Sequence, residues 1–207
     1  MSEPSKTRHA VSRRSVLKTI GASAGAATLL PWLSNEGLLA YGALQRAQAP
    51  PALKVLTASQ YATVEALSEA IIPADDRSPG AKAARVADYV DLLLSESEPE
   101  LRTKWQDGLT AIDAEAATRF QTPLPKLDAA QLETLLTDIS RNEKKPVSPA
   151  EIFFTLAKQA TIHGYYSSEI GIHQELGYKG NQYLPEFVGC LTEDGKDCPH
   201  CGQKAGK

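Results

Sequence analysis

The side chains best equipped for chemistry crowd the C-terminal end of the sequence. All three cysteines, Cys190, Cys198 and Cys201, fall in the last eighteen of 207 residues, and His200 lies between the final two. Cys198-Pro199-His200-Cys201 has the order of residues found in strongly oxidising thiol–disulfide enzymes, where a helix N-terminus stabilises the first thiolate. Six residues follow it here, Gly202 among them, and no supporting helix is expected from them. Haem attachment would need a histidine directly after the second cysteine, and Gly202 stands there instead. Two readings of the thiols stay open. Cys190, Cys198, His200 and Cys201 have the number and kind of ligands that zinc takes, whereas an oxidising compartment favours a disulfide. Three thiols leave one over, or pairing with another chain. That points to a structural or intersubunit Cys190 and a tail pair able to close on itself.

The remaining candidates are weaker. Nucleophilic catalysis needs a Ser or Cys beside a His that an acid orients, and His9, His163 and His173 sit in no such motif. His163 reads as a hydrogen-bonded histidine on an apolar helix face. Glu169 and His173, four apart, could pair on a helical turn, although Gly171 weakens a helix there. Asp75 and Asp76 are neighbours in a turn, so their carboxylates point apart and suit capping or solvation. Gly21 and Gly25 follow no strand, and no phosphate-binding loop occurs. The expectation is a chain with no catalytic site and no cofactor of its own.

At the other end, Ser12-Arg13-Arg14-Ser15-Val16-Leu17-Lys18 precedes a mildly apolar run to Leu33. Paired arginines in register with Leu17 and Lys18 are the signature of twin-arginine export, by which folded proteins cross the bacterial inner membrane. Residues 1–18 carry five cations against Glu3, a formal net charge of +4 in a chain whose total is −3, which leaves −7 for the remainder. The run from Thr19 to Leu33 contains Gly21, Gly25 and Pro31 and is too short and too polar for a good membrane span. Residues 1–49 are therefore assigned to the leader. Ala47-Gln48-Ala49 has the small-x-small form of a processing site, but Pro50 hinders a cut after it, and Ala40-Tyr41-Gly42 is a weaker alternative. With neither cut, the leader persists as a tether.

The rest has the size of one domain with one core. An apolar fraction of 42% and a charged fraction of 23% are ordinary for a globular protein. An acidic body without a basic stripe argues against nucleic acid as a partner. Helical spacing dominates it. Thr57 and Gln60 form a capping box before Tyr61, Val64, Leu67 and Ile71, and Pro73 stops that helix. A second helix is expected over Ala83–Ser95. A third opens at Pro99, a favoured first-turn residue, and carries Leu101, Trp105, Leu109, Ile112, Ala116 and Phe120. Asp128 caps a fourth. A fifth runs from Pro149 to about Tyr166, with Phe153, Leu156, Ala160 and His163 on one face. Without alternating β-branched runs, the fold class is all-α, a small helical bundle.

Beyond Gly171 the pattern loses its period. An arm over 171–190 mixes glycine and proline with Tyr178, Tyr183, Leu184 and Phe187, which seek burial on this chain or another. The polar, glycine-rich stretch over 191–207 reads as a mobile tail.

Four stretches carry a family resemblance: Ala70-Ile71-Ile72-Pro73-Ala74-Asp75 with Ser78-Pro79-Gly80-Ala81; Val86-Ala87-Asp88-Tyr89-Val90-Asp91; Gly164-Tyr165-Tyr166 with Ser168-Glu169-Ile170-Gly171; and Leu176-Gly177-Tyr178-Lys179-Gly180-Asn181 through Tyr183-Leu184-Pro185-Glu186-Phe187 to Cys190. With them the chain resembles the gluconate 2-dehydrogenase subunit 3 family. The resemblance implies a three-part complex in the periplasm or on the periplasmic face of the inner membrane. A large FAD-binding subunit of the glucose-methanol-choline type oxidises a sugar, sugar acid or alcohol. A multiheme cytochrome c subunit carries electrons on through heme c. The small subunit, with no known active site, helps the flavoprotein mature and shares its leader with it at the twin-arginine translocase. Tyr165, Tyr166, Tyr178, Lys179, Asn181, Tyr183, Leu184 and Phe187 are the contacts to the partner that this implies. The stretch beyond Cys190 looks like an extension past the family's usual end.

Overall fold

The computed structural model describes residues 33–47, 50 and 53–181, and over them the chain is helical with no strand. Six α-helices follow in order: α1 (Asn35–Ala47), α2 (Ala58–Ile71), α3 (Val86–Glu96), α4 (Pro99–Phe120), α5 (Ala129–Ser140) and α6 (Pro149–Tyr166). A 3₁₀ turn (Leu124–Lys126) precedes α5, and a π-helical turn (Ile170–Glu175) follows α6. The all-α reading is correct. Arg13, Arg14, Leu17, Lys18, Tyr183, Leu184, Phe187, Cys190, Cys198, His200 and Cys201 lie outside the described residues.

The caps read from sequence close the helices that they precede. Thr57 Oγ1 accepts from Gln60 N while Gln60 Oε1 accepts from Thr57 N, and Asp128 with Gln131 repeats the exchange at α5. Ser148 and Glu151 make a third capping box, at α6. The Glu151 carboxylate also accepts from Val147 N and Asn142 Nδ2. These donors, the Ser148 amide foremost, hold its pKa down to about 2, against an ordinary 4.5. A carboxylate lowered on folding stabilises fully above its unfolded pKa and loses that contribution as pH falls to the folded one. The gap in melting temperature between the natural chain and Glu151→Gln is therefore expected to be constant above pH 4.5 and to shrink toward pH 2. Thermal unfolding across that range checks it.

At the centre of the bundle is α3. Every residue from Val86 to Leu94 is buried, as a short helix must be when α1, α2 and α6 all pack on it. Its start differs from the expected Ala83. Residue 85 takes a left-handed conformation, φ 56°, before Val86 begins the helix. Such a φ is uncommon for a residue with a Cβ, and here the Arg85 side chain is committed to Asp88 and to a carbonyl of α1.

The longest helix, α4, lies along α6. Trp105 meets Phe153 edge to face, their ring centroids 5.2 Å apart, a favoured aromatic geometry. On α6 the buried set is broader than the expected stripe. Phe153, Phe154, Ala157, Ala160, Thr161 and Gly164 are buried, whereas Leu156 and His163 are only half-buried. A helix that touches α2, α3, α4 and α5 cannot confine its apolar residues to one line.

The sequence reading does not describe α1. Residues 35–47, assigned to the leader, form a helix docked on α3, with Leu33, Gly37 and Tyr41 buried at intervals of four. Leader-like composition, small residues and leucines, concealed a short helix whose inward face needs little more than one tyrosine.

Candidate partner-binding surface

The end of α6 sends its two tyrosines in different directions. Tyr165 is 2% exposed, and its hydroxyl lies 2.7 Å from Ser78 Oγ and donates to Pro79 O at 2.8 Å. It therefore pins the 73–80 linker inside the domain rather than facing outward. Tyr166 is 40% exposed and stands edge to face on Tyr165.

Asp75 helps to shape the same linker. Its Oδ1 accepts from the amides of Arg77 and Ser78 at 2.8 and 2.9 Å, which lowers its pKa below the usual carboxylate value. No carboxylate pair forms with Asp76, in keeping with the turn geometry.

After Tyr166 the backbone widens. Leu176 N donates to Gly171 O, five residues back, and Tyr178 N donates to Ile172 O. Gly171 is required by closeness: a Cβ there would lie 2.8 Å from the Tyr165 carbonyl carbon and 3.0 Å from Tyr166 Cα. Where Gly171 was expected to weaken a helix, a π-helical turn forms. Glu169 and His173 do not pair on it. Glu169 instead binds Arg46 of α1 at 2.6 Å, and His173 Nδ1 sits 2.9 Å from Tyr178 O.

This turn projects a small apolar rim. Leu176 is 62% exposed and Tyr178 46%, and Lys179 and Asn181 are exposed beside them. Tyr178 Oη donates to Asn181 Oδ1 at 2.6 Å, which fixes the ring. Of the residues expected to meet a partner, Tyr166, Tyr178, Lys179 and Asn181 thus share one end of the molecule, and Tyr165 is internal. Sequence reasoning passed over Leu176 as a surface residue, since an aperiodic segment gives no face to read.

Two hollows mark the sides of the bundle. A groove of about 920 Å³ runs between α2 and α5 over Ala62, Ala66, Ala70, Leu132 and Leu136, with ion pairs Lys82–Glu65 and Lys158–Glu143 at its edges. A second, of about 530 Å³, lies between α4 and α6 against Leu101, Ile152 and Leu156. Among the described residues, no group of three His, Cys, Asp or Glu could hold a metal ion, and no helix is long and apolar enough to cross a membrane.

The family model for gluconate 2-dehydrogenase subunit 3 matches residues 58–185. The chain belongs to that family. Neither the curated proteins nor the solved structures include a match. The part matched to subunit 3 begins at the first residue of α2 and takes in the whole bundle from α2 to α6, the π-helical turn and the rim. It leaves out α1. As its family description states, subunit 3 is a component of an oxidoreductase, gluconate 2-dehydrogenase.

Proposed function

We propose that this chain is the non-catalytic small subunit of an FAD-dependent dehydrogenase complex. In this reading it helps a large flavoprotein of the glucose-methanol-choline type to mature. Its twin-arginine leader then carries the folded pair to the periplasm, where a cytochrome c subunit relays the electrons. Family membership over residues 58–185 carries the reading. The rim of Tyr166, Leu176 and Tyr178 supports it, because exposed aromatics next to a largely buried domain are what a hot spot is made from. A stable contact of this kind buries about 1,200–2,000 Å² or more, so the arm that continues from the rim would have to contribute as well.

Export gives the direct test. The double substitution Arg13→Lys and Arg14→Lys is expected to leave both this chain and the flavoprotein in the cytoplasm, followed by fractionation and flavin absorbance. Normal export of the flavoprotein by that variant would remove the escort role. Co-purification of a yellow partner with the natural chain tests the association itself.

A further inference from the structure

We propose that residues 33–47 belong to the mature domain and that the leader is not removed at Ala47-Gln48-Ala49. The identity of the processing step rests on the export reading above; the attachment of α1 does not. Tyr41 is 1% exposed, and its hydroxyl lies 2.6 Å from Ala84 O and 3.1 Å from Gly164 O. Its ring stands edge to face on Tyr89. Gln45 spans the same junction, donating to Ala84 O and accepting from Glu169 N.

The body of the domain is shaped to receive this helix. Arg85 Nη1 donates to Leu44 O at 2.7 Å, satisfying one of the last carbonyls of α1, which have no partner within the helix. The same guanidinium is held by Asp88, 4% exposed, through Nε at 2.7 Å, and Tyr61 Oη donates to that carboxylate oxygen. A left-handed arginine and a buried ion pair therefore serve the end of α1. A cut after Ala49 would free the helix to leave, stranding these polar groups and opening Tyr89 to water.

Access separates the two candidate cuts. Proteolysis favours exposed segments, and Ala47, the last residue of α1, is exposed, so what weighs against a cut after it is the loss of the docked helix. The alternative triplet Ala40-Tyr41-Gly42 puts the cut beside a fully buried side chain. A chain exported already folded meets the peptidase with α1 docked, and processing is therefore expected upstream of Leu33.

Intact mass of the full chain, recovered from periplasm through a C-terminal tag, is expected to give an N-terminus at or before Leu33. A chain beginning at Pro50 or Ala43 would overturn the proposal. A second measurement is independent of export: Tyr41→Phe in the full chain is expected to melt about 3–8 °C lower. Leu39→Ala, on the exposed side of α1 at 73%, should melt as the natural chain does. Unchanged melting of Tyr41→Phe would also overturn the proposal. If no chain reaches the periplasm, the export reading fails and the melting comparison still decides whether α1 is part of the domain.

Discussion

Replacing Gly108 with valine is expected to destabilise the domain by about 4 kcal/mol, above the usual ~1–3 kcal/mol for overpacking. Gly108 lies midway along α4 where Phe153 of α6 crosses it, and a Cβ there would fall 2.8 Å from Phe153 Cβ. Phe153 cannot swing away freely, because its ring is held edge to face by Trp105. In an exposed helix, Gly→Ala gains about 1 kcal/mol of helix propensity. Here the collision reverses that sign, and Gly108→Ala is expected to lose about 2 kcal/mol. At roughly 2–4 °C per kcal/mol for a domain of this size, valine should lower the melting temperature by about 8–16 °C. Thermal unfolding of both variants checks the order. Equal melting of Gly108→Ala and the natural chain would mean that α4 and α6 can separate at this crossing at no cost.

The second large effect is expected at Asp91. Its carboxylate is 4% exposed and accepts three backbone amides in a row, from Lys54 at 2.7 Å, Val55 at 3.0 Å and Leu56 at 2.8 Å. Bonds to a charged acceptor are among the stronger ones, and an amide left unpaired on burial costs about 1–3 kcal/mol. Asp91→Ala strips all three and is expected to cost about 4 kcal/mol, since Leu56 is buried while the other two amides can partly rehydrate. Asp91→Asn separates charge from geometry. Its oxygen can keep the Val55 and Leu56 amides, but its NH₂ group would face the Lys54 amide donor to donor. Denaturant unfolding should place Asn between the natural chain and Ala; an Ala variant as stable as the natural chain would show that the 54–56 segment needs no anchor.

Both sites lie beyond what residue order alone makes legible. Local signals transfer well: Thr57 with Gln60, Asp128, Pro99 and Pro73 each mark a helix boundary through chemistry confined to a few neighbouring residues. Asp91 and Gly108 carry no such mark. One binds amides 35–37 residues away and the other is defined by a ring on another helix, so their roles exist only once the chain has folded. Arg85 misleads for a related reason, because a good helix former is drawn out of helical geometry by partners on α1 and α3. At the candidate surface, the tyrosines are visible in the sequence as a cluster. Which of Tyr165 and Tyr166 turns inward depends on Ser78 and Pro79, far away along the chain.

The bond from Tyr41 to Gly164 joins residues 123 apart. On a ribosome adding about 5–20 residues per second, Tyr41 is made about 6–25 s before its acceptor at Gly164. Until then the first helix can meet only α3 and the turn before it, and a contact of such long range closes late because loop closure must come first. Completion of the N-terminal side thus reports that the last long helix has arrived, and a chain interrupted before α6 would hold its first helix through α3 and the turn before it alone.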